Sequence, residues 1–382
     1  MVSRIPKREV WNLLQKYYNI IPSSVSKMAG YSNINYKVTA NDCISPITDC
    51  KTASENFLLK FADVSHVFYL DNIDMQHEML KHLHLHGINA SLPVESTHGE
   101  TMIDYSFGGK QYSVQLLSFV NGVSMNEADT SQEEVIDIAY DMGQLCGRFH
   151  HTMKTFNYDL ETASGIHSPF HTENAAMFEE KLAYVGDRSL RNQLINYMNL
   201  FKENFLPRLS ELRKGFIHGD MSDTNIILKD NSQKGGQRRK RWEIGGLIDL
   251  EECAYTYLVG EVGICAAYSM LKAASVGADP VEASLHMIQG YQLMHDLSAR
   301  EKEVLFYAVL SRLAVSYVSA CYECFLTPEN STYLFTQAKN VPVVLEALEE
   351  CGKNEIEKIW FGRRYKWLRQ HNSWRNKAPP KE

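Results

Sequence analysis

The stretch Phe216-Ile217-His218-Gly219-Asp220-Met221-Ser222-Asp223-Thr224-Asn225-Ile226-Ile227-Leu228 decides how the rest of the chain is read. Its centre is H-G-D-x-x-x-x-N, a polar loop between two apolar runs. Apolar neighbours on both sides bury the flanks and hold the loop's polar groups in one arrangement. A lone aspartate here would read as a turn or cap residue. The combination reads differently, because Asn225 comes later in the same loop and a second carboxylate, Asp249, ends another apolar strand, Gly246-Leu247-Ile248. Phosphoryl transfer asks for this set: a carboxylate to receive a hydroxyl proton, and oxygen donors for a metal that neutralises developing charge. Asp220 suits the first role. Asn225, through its amide oxygen, and Asp249 suit the second, since Mg²⁺ takes oxygen ligands and keeps several waters.

Working upstream, residues 5–20 place Val10, Leu13, Leu14 and Tyr17 on one helical face. Short β-like runs succeed it at Tyr36–Ala40, Asn56–Phe61, Thr101–Tyr105 and Tyr112–Phe119, and a helix marked by Met75, Leu80 and Leu83 stops at Gly87. From about residue 130 helical periodicity dominates, over 133–153, 174–213, 255–275, 280–296 and 299–325. The interruption at 216–249 carries the quoted loop. The expected architecture is α+β, with a small β lobe over 1–117, a connection at 118–122, a larger helical lobe over 123–362 and a basic tail at 363–382.

Composition excludes several classes. The 382 residues carry 39 Lys+Arg against 46 Asp+Glu, a net charge of −7, which argues against a nucleic-acid partner because phosphate binding needs a cationic surface. An apolar fraction of 44 % supports a large core. No apolar run approaches the ~20 residues that span a bilayer, so no membrane partner is expected. Residues 1–20 lack the apolar core of a secretory signal, and eight scattered cysteines fit a reduced, cytoplasmic protein. Oligomeric state is left open. His82, His84 and His86 spread over about 200° of a helix surface and cannot grip one ion. Cys321 and Cys324 lack a second pair and read as core cysteines, His150-His151 as a helix-end pair acting through the dipole, and Gln237–Arg241 as a solvated basic hairpin tip. Glu261, in an apolar run, is expected to be buried and to brace the catalytic loop.

H-G-D-x-x-x-x-N followed by Ile248-Asp249-Leu250 resembles the signature of the aminoglycoside phosphotransferase family, within the protein-kinase-like fold, and the resemblance runs from about residue 8 to 361. It implies a two-lobed fold, with a small N-terminal antiparallel β lobe containing a helix and a larger, mainly helical C-terminal lobe. It implies Mg²⁺ and GTP or ATP as donor. Asp223, the run Leu247–Val262, the segment Cys324–Asn330 and Ile359-Trp360-Phe361 are similar to members of the family that phosphorylate the side-chain hydroxyl of 5-hydroxylysine. By this resemblance Lys60, a lone Lys in an apolar strand, touches the α- and β-phosphates. A kinase-fold lysine pairs with a helix Glu, but Gln76 stands at that place here. The phosphate loop is Met28–Tyr36, with Ser32 and Asn35 as its side-chain donors and placed between the first helix and the first strand. Residues 115–122 resemble the lobe-connecting hinge, with backbone groups of Ser118 and Val120 for the purine. A cationic acceptor suits the acidic set Asp220, Asp223, Glu251 and Glu252. The alternatives are a kinase for choline, ethanolamine, homoserine or an aminoglycoside-like amine, and a weakly catalytic nucleotide-binding module.

Overall fold

Val10, Leu13 and Leu14 recur at helical spacing, and they form the buried face of α1 (Lys7–Tyr18). Asn19 ends the helix in the left-handed region at φ 52°, a conformation asparagine tolerates better than most residues. The structure is a computed structural model that describes residues 5–28, 30, 33–44, 51–64, 72–232, 240–336 and 338–362. Two units divide the chain, Met1–Asn121 and Gly122–Glu382. Ser32, residues 237–239 of the basic segment and the tail from 363 lie outside the described residues.

In the N-terminal unit the strands are β1 (Pro22–Met28), β2 (Ile34–Ile44), β3 (Lys51–Asp63), β4 (Pro93–Val94), β5 (Ile103–Phe107) and β6 (Lys110–Ser118), with α2 (Ile73–Leu85) between β3 and β4. Among the described residues they form one antiparallel sheet in the order β1-β2-β3-β6-β4, with β5 pairing β6. Alternation sends Tyr36, Val38, Phe57, Leu59, Phe61, Val114 and Leu116 into the core with Leu13 and Leu14. Phe61 meets Tyr36, Tyr105 and Tyr112 edge-on at 6.1 Å each. Strand β1 corrects the sequence reading. It carries little apolar signal, burying only Pro22 and Val25, because it lies at the sheet edge. The segment 29–33 therefore joins β1 to β2, not α1 to the first strand.

In the C-terminal unit the helices are α3 (Gln132–Met153), α4 (Leu160–Ser164), α5 (Arg188–Asn204), α6 (Leu258–Ser275), α7 (Pro280–Met294), α8 (Ala299–Leu326), α9 (Ser331–Leu334), α10 (Val341–Cys351) and α11 (Lys353–Phe361). Small sheets carry the loop of interest: β7 (Val123–Ser124), β9 (Ile226–Asp230) and β10 (Trp242–Leu247) form one, and β8 (Lys214–Ile217) pairs with β11 (Ala254–Tyr257). The helix expected over 174–213 is broken. A 3₁₀ run spans Thr172–Tyr184, α5 starts afresh with Asp187 capping the Leu190 N–H at 2.9 Å, and Pro207 opens a second 3₁₀ turn. Helix α8 is, by length and composition, apolar enough to cross a membrane, although no such run was expected; 78 % of its most apolar stretch is buried inside the fold. Its start is a capping box between Ser298 and Glu301.

Helix α6 does most to position the loop. Glu261, Cys265, Tyr268 and Lys272 recur at intervals of four, three and four residues, which places them on one face. Glu261 and Cys265 on that face reach the backbone of residues 218–221.

Candidate active site

Strand β8 delivers His218 and β9 leads away from Asn225, so the eight-residue loop is pinned at both ends by sheet hydrogen bonds. Glu261 holds it from below. This carboxylate is wholly buried and accepts the N–H groups of His218 at 2.5 Å, Gly219 at 3.1 Å and Met221 at 3.3 Å. Burial pushes its pKa up, and His218 and the three amides pull the other way. The expectation that Glu261 is buried and braces the loop is met. One turn on, Cys265 Sγ lies 3.8 Å from the Met221 carbonyl.

Gly219 has φ +85°, and a Cβ there would lie 2.0 Å from the Glu252 carbonyl oxygen. Only glycine meets both conditions. That carbonyl is itself fixed by His171 Nε2 at 2.9 Å.

Ile248 ties the second carboxylate to the loop through its main chain. Its N–H donates to the Asn225 carbonyl at 3.0 Å, and its own carbonyl accepts from His218 Nε2 at 3.0 Å. With Nε2 donating, Nδ1 of His218 accepts the Asp220 N–H at 3.3 Å. Asp249, the next residue, sits in the left-handed region at φ 67°, rare for a residue with a side chain, and is exposed.

Asp220 is half-buried. Asn225 Nδ2 donates to its Oδ2 at 2.8 Å and to its carbonyl at 2.9 Å, and the Ser222 hydroxyl lies 3.4 Å from Oδ2. Arg312, a buried residue of α8, donates through Nη2 to Asp220 Oδ1 and to Tyr268 Oη. Burial opposes the charge of this guanidinium, yet Tyr268, Asp220 and Glu252 together hold its pKa above the ordinary range. The sequence reading missed Arg312, Tyr268 and the role of Ile248.

Asp220 and Asn225 are bonded to each other, and Asp249 follows the residue whose N–H meets the Asn225 carbonyl, with Glu251 and Glu252 half-buried in the turn just after it. Asp223 is 3 % exposed and lines a cavity of about 230 Å³ with Lys272, Asn126, Ser275 and Lys339. Burial pushes the Lys272 pKa down, Asp223 and Asp129 counter this, and the ammonium donates to the Ala128 carbonyl at 2.8 Å. His150 departs from its expected part. It is buried with Nδ1 2.9 Å from Tyr291 Oη, and burial, with His295, Arg213 and Lys154 nearby, pushes its pKa down to about 3. A neutral imidazole gives the helix dipole no charge to act on; His151 is exposed. Cys321 and Cys324 are half-buried, not core residues.

In the N-terminal unit Lys60 is buried on β3, between β2 and β6, and pairs in register with Asn35 and Gln115. Lys60 and Asn35 thus share a sheet face. Asn35 Oδ1 is buried without a hydrogen-bond partner among the described residues, and its amide approaches Gly30 so closely that a Cβ there would lie 2.9 Å from Nδ2. Gln76 sends its amide to Asn72 at 2.5 Å, while Asp74 and Glu78 are exposed. At the end of β6 the Ser118 N–H is bonded to the Leu92 carbonyl at 2.8 Å. A purine contact at Ser118 would therefore use its carbonyl and not that N–H.

The antiparallel N-terminal sheet with its helix, the helical C-terminal unit and the H-G-D-x-x-x-x-N loop define a kinase-type phosphotransferase. The chain belongs to the phosphotransferase enzyme family known as APH, whose profile matches residues 29–297. Curated relatives include the hydroxylysine kinases of Mus musculus, 24 % identical over 354 residues with 91 % of this chain and 90 % of the relative covered, and of Xenopus laevis, 25 % identical over 357 residues with 91 % of each covered. Among solved structures, a microcompartment-associated aminopropanol kinase superposes with TM-score 0.65 at 13 % identity, covering 93 % of this chain and 100 % of that one. The amicoumacin kinase hAmiN, in complex with AMP-PNP, Ca²⁺ and Ami, gives TM-score 0.58 at 17 % identity and covers 88 % and 93 %.

Proposed function

We propose that this enzyme transfers the γ-phosphoryl group of a purine nucleoside triphosphate, GTP or ATP, to the side-chain hydroxyl of 5-hydroxylysine. The observation that carries the reading is the fixed Asp220 carboxylate, bonded to Asn225 at 2.8 Å in the same eight-residue loop. Support for the acceptor comes from relatives named hydroxylysine kinase that align over about nine-tenths of the chain. Asp220 receives the hydroxyl proton as the acceptor oxygen bonds to the γ-phosphorus and the bond from that phosphorus to the β-phosphate oxygen breaks.

The donor chemistry around Asp249 fits Mg²⁺. The Asn225 amide nitrogen is committed to Asp220, so its remaining side-chain atom is a neutral oxygen, and Ile248 ties Asp249, a hard carboxylate, to the same backbone. Asn225 and Asp249 would hold the ion, which supplies charge neutralisation when bound. Lys60, Asn35 and Ser32 are assigned to the phosphates, and backbone groups of Ser118 and Val120 to the purine. Glu251 and Glu252 are assigned to the acceptor's ammonium groups. Asp223, buried beside Lys272, we read as a brace of the loop.

A panel of 5-hydroxylysine, choline, ethanolamine and homoserine, each with Mg²⁺ and ATP or GTP and product detected by mass, tests the reading. Phosphohydroxylysine as the main product is the expected result. Preference for another acceptor refutes the substrate assignment. Absence of turnover with every pair favours a nucleotide-binding module.

A further inference from the structure

The proposed base is held from two sides, and one holder comes from far along the chain. Asp220 Oδ2 accepts from Asn225 at 2.8 Å, inside the loop. Oδ1 is bound by Arg312 Nη2, from the middle of α8. The Asp220 side chain is 28 % exposed, whereas that of Arg312 is 7 % exposed. The same Nη2 donates to Tyr268 Oη at 3.2 Å, and that hydroxyl lies 3.2 Å from Ser316 Oγ.

The guanidinium carbon lies 5.2 Å from the centre of the Tyr268 ring. Nε and Nη1 are buried and have no hydrogen-bond partner among the described residues. Buried donors without acceptors cost free energy, and most native structures avoid them. Apolar groups often replace a whole buried ion pair at no loss, but removing one partner strands the other; here Asp220 is 28 % exposed and keeps its bond to Asn225, which limits that cost. Two of the three nitrogens add no hydrogen bond to the fold among the described residues, and the third serves Asp220. A buried charge directed at the proposed base marks a demand made by function.

We infer that Arg312 is the positioning residue of the base: it fixes the Asp220 carboxylate in one orientation for the acceptor hydroxyl, and Tyr268 fixes Arg312. The inference rests on Asp220 being the base. It makes Arg312 necessary for rate and of little weight for stability, the opposite of what a core brace would be.

The experiment compares Arg312→Met, Arg312→Lys, Tyr268→Phe and Asp220→Asn in steady-state assays and denaturant unfolding. Arg312→Met should lower kcat by about 10- to 100-fold, the scale of a misplaced reacting group, with KM for nucleotide and acceptor within about two-fold of wild type. Its unfolding midpoint should stay close to that of wild type, because Asp220 is partly exposed and keeps its bond to Asn225. Arg312→Lys should recover part of kcat, because an ammonium restores the charge but not the planar fork. A kcat for Arg312→Met within about two-fold of wild type overturns the inference, as does an activity loss that only tracks a lowered midpoint. If Arg312→Met does not fold, Tyr268→Phe decides. It keeps the guanidinium and should lower kcat several-fold at constant KM and midpoint; unchanged kcat overturns the inference. Asp220→Asn separates the two levels. An inactive Asp220→Asn beside an active Arg312→Met sinks only the inference. More than about a tenth of wild-type kcat in Asp220→Asn removes the base, and the inference with it.

Discussion

Replacing Glu261 by glutamine exchanges one carboxylate oxygen for an NH₂ at a point where three buried amides converge. Two of those amides donate to Oε2 and one to Oε1. A glutamine can keep its oxygen on the His218 and Gly219 amides, but its NH₂ then faces the Met221 N–H, donor against donor. Hydrogen bonds to a charged group are worth about 1.5–3 kcal/mol and neutral ones about 0.5–1.5, so the two retained bonds weaken by roughly 1 kcal/mol each. The Met221 N–H, left without an acceptor in the core, adds a penalty of about 1–3 kcal/mol. Against this, a buried carboxylate is no longer desolvated, the same burial that pushes the Glu261 pKa up. The net expectation is a loss of about 1–3 kcal/mol of stability. The loop should also loosen at 218–221, lowering kcat by about ten-fold or more while KM for nucleotide changes less. Urea unfolding of wild type and Glu261→Gln, with kcat measured on the same preparations, gives both numbers. A variant with the wild-type midpoint and wild-type kcat would refute the view that Glu261 shapes the loop.

Asp249→Ala should abolish Mg²⁺-dependent nucleotide binding, and calorimetry showing unchanged affinity would remove Asp249 from the metal. Asp223→Asn takes the charge from beside buried Lys272, so it should lower the unfolding midpoint by the equivalent of about 1–3 kcal/mol with KM for acceptor within about two-fold. A large rise in KM without loss of stability would make Asp223 a substrate anchor instead. Burial depresses the pKa values of His150, His171, His286 and His295, so the folded state keeps them neutral while the unfolded chain protonates them below their ordinary value of 6.5. Their stability contribution is present above that pH and is lost on acidification. For His150, pushed down to about 3, the loss is about 1.4 kcal/mol per pH unit. Melting temperature should fall between pH 6.5 and 5.5, and a flat profile would contradict neutral burial.

The sequence revealed much of this site because the loop is local. His218 to Asn225 lie within eight residues, and flanking apolar runs announce buried strands. Lys60 and Glu261 stood out because a charge in an apolar run needs a partner. Arg312 sits in just such a run, Val309-Leu310-Ser311-Arg312-Leu313-Ala314-Val315, yet its partner lies 92 residues away and no spacing rule names it. Strand β1 escaped because an edge strand with one face in water shows little apolar alternation. The break at 185–187 escaped because the helical pattern continues on either side of a three-residue interruption. His150 deceived because its charge state depends on burial, which sequence position at a helix end does not report.

Ile248 holds both ends of the His218–Asn225 loop with its peptide groups alone, and this has a bearing on how the enzyme tolerates change. A scan of side chains at 248 should find a permissive position, where valine, leucine or threonine pass almost unnoticed. The position is nevertheless indispensable in a way that such scans do not count. Proline, which has no N–H to offer Asn225, should be the one natural residue that fails there, and an ester in place of the 247–248 amide should fail in the same way. Tolerance to substitution here measures how little the side chain matters, and it says nothing of how much the residue does.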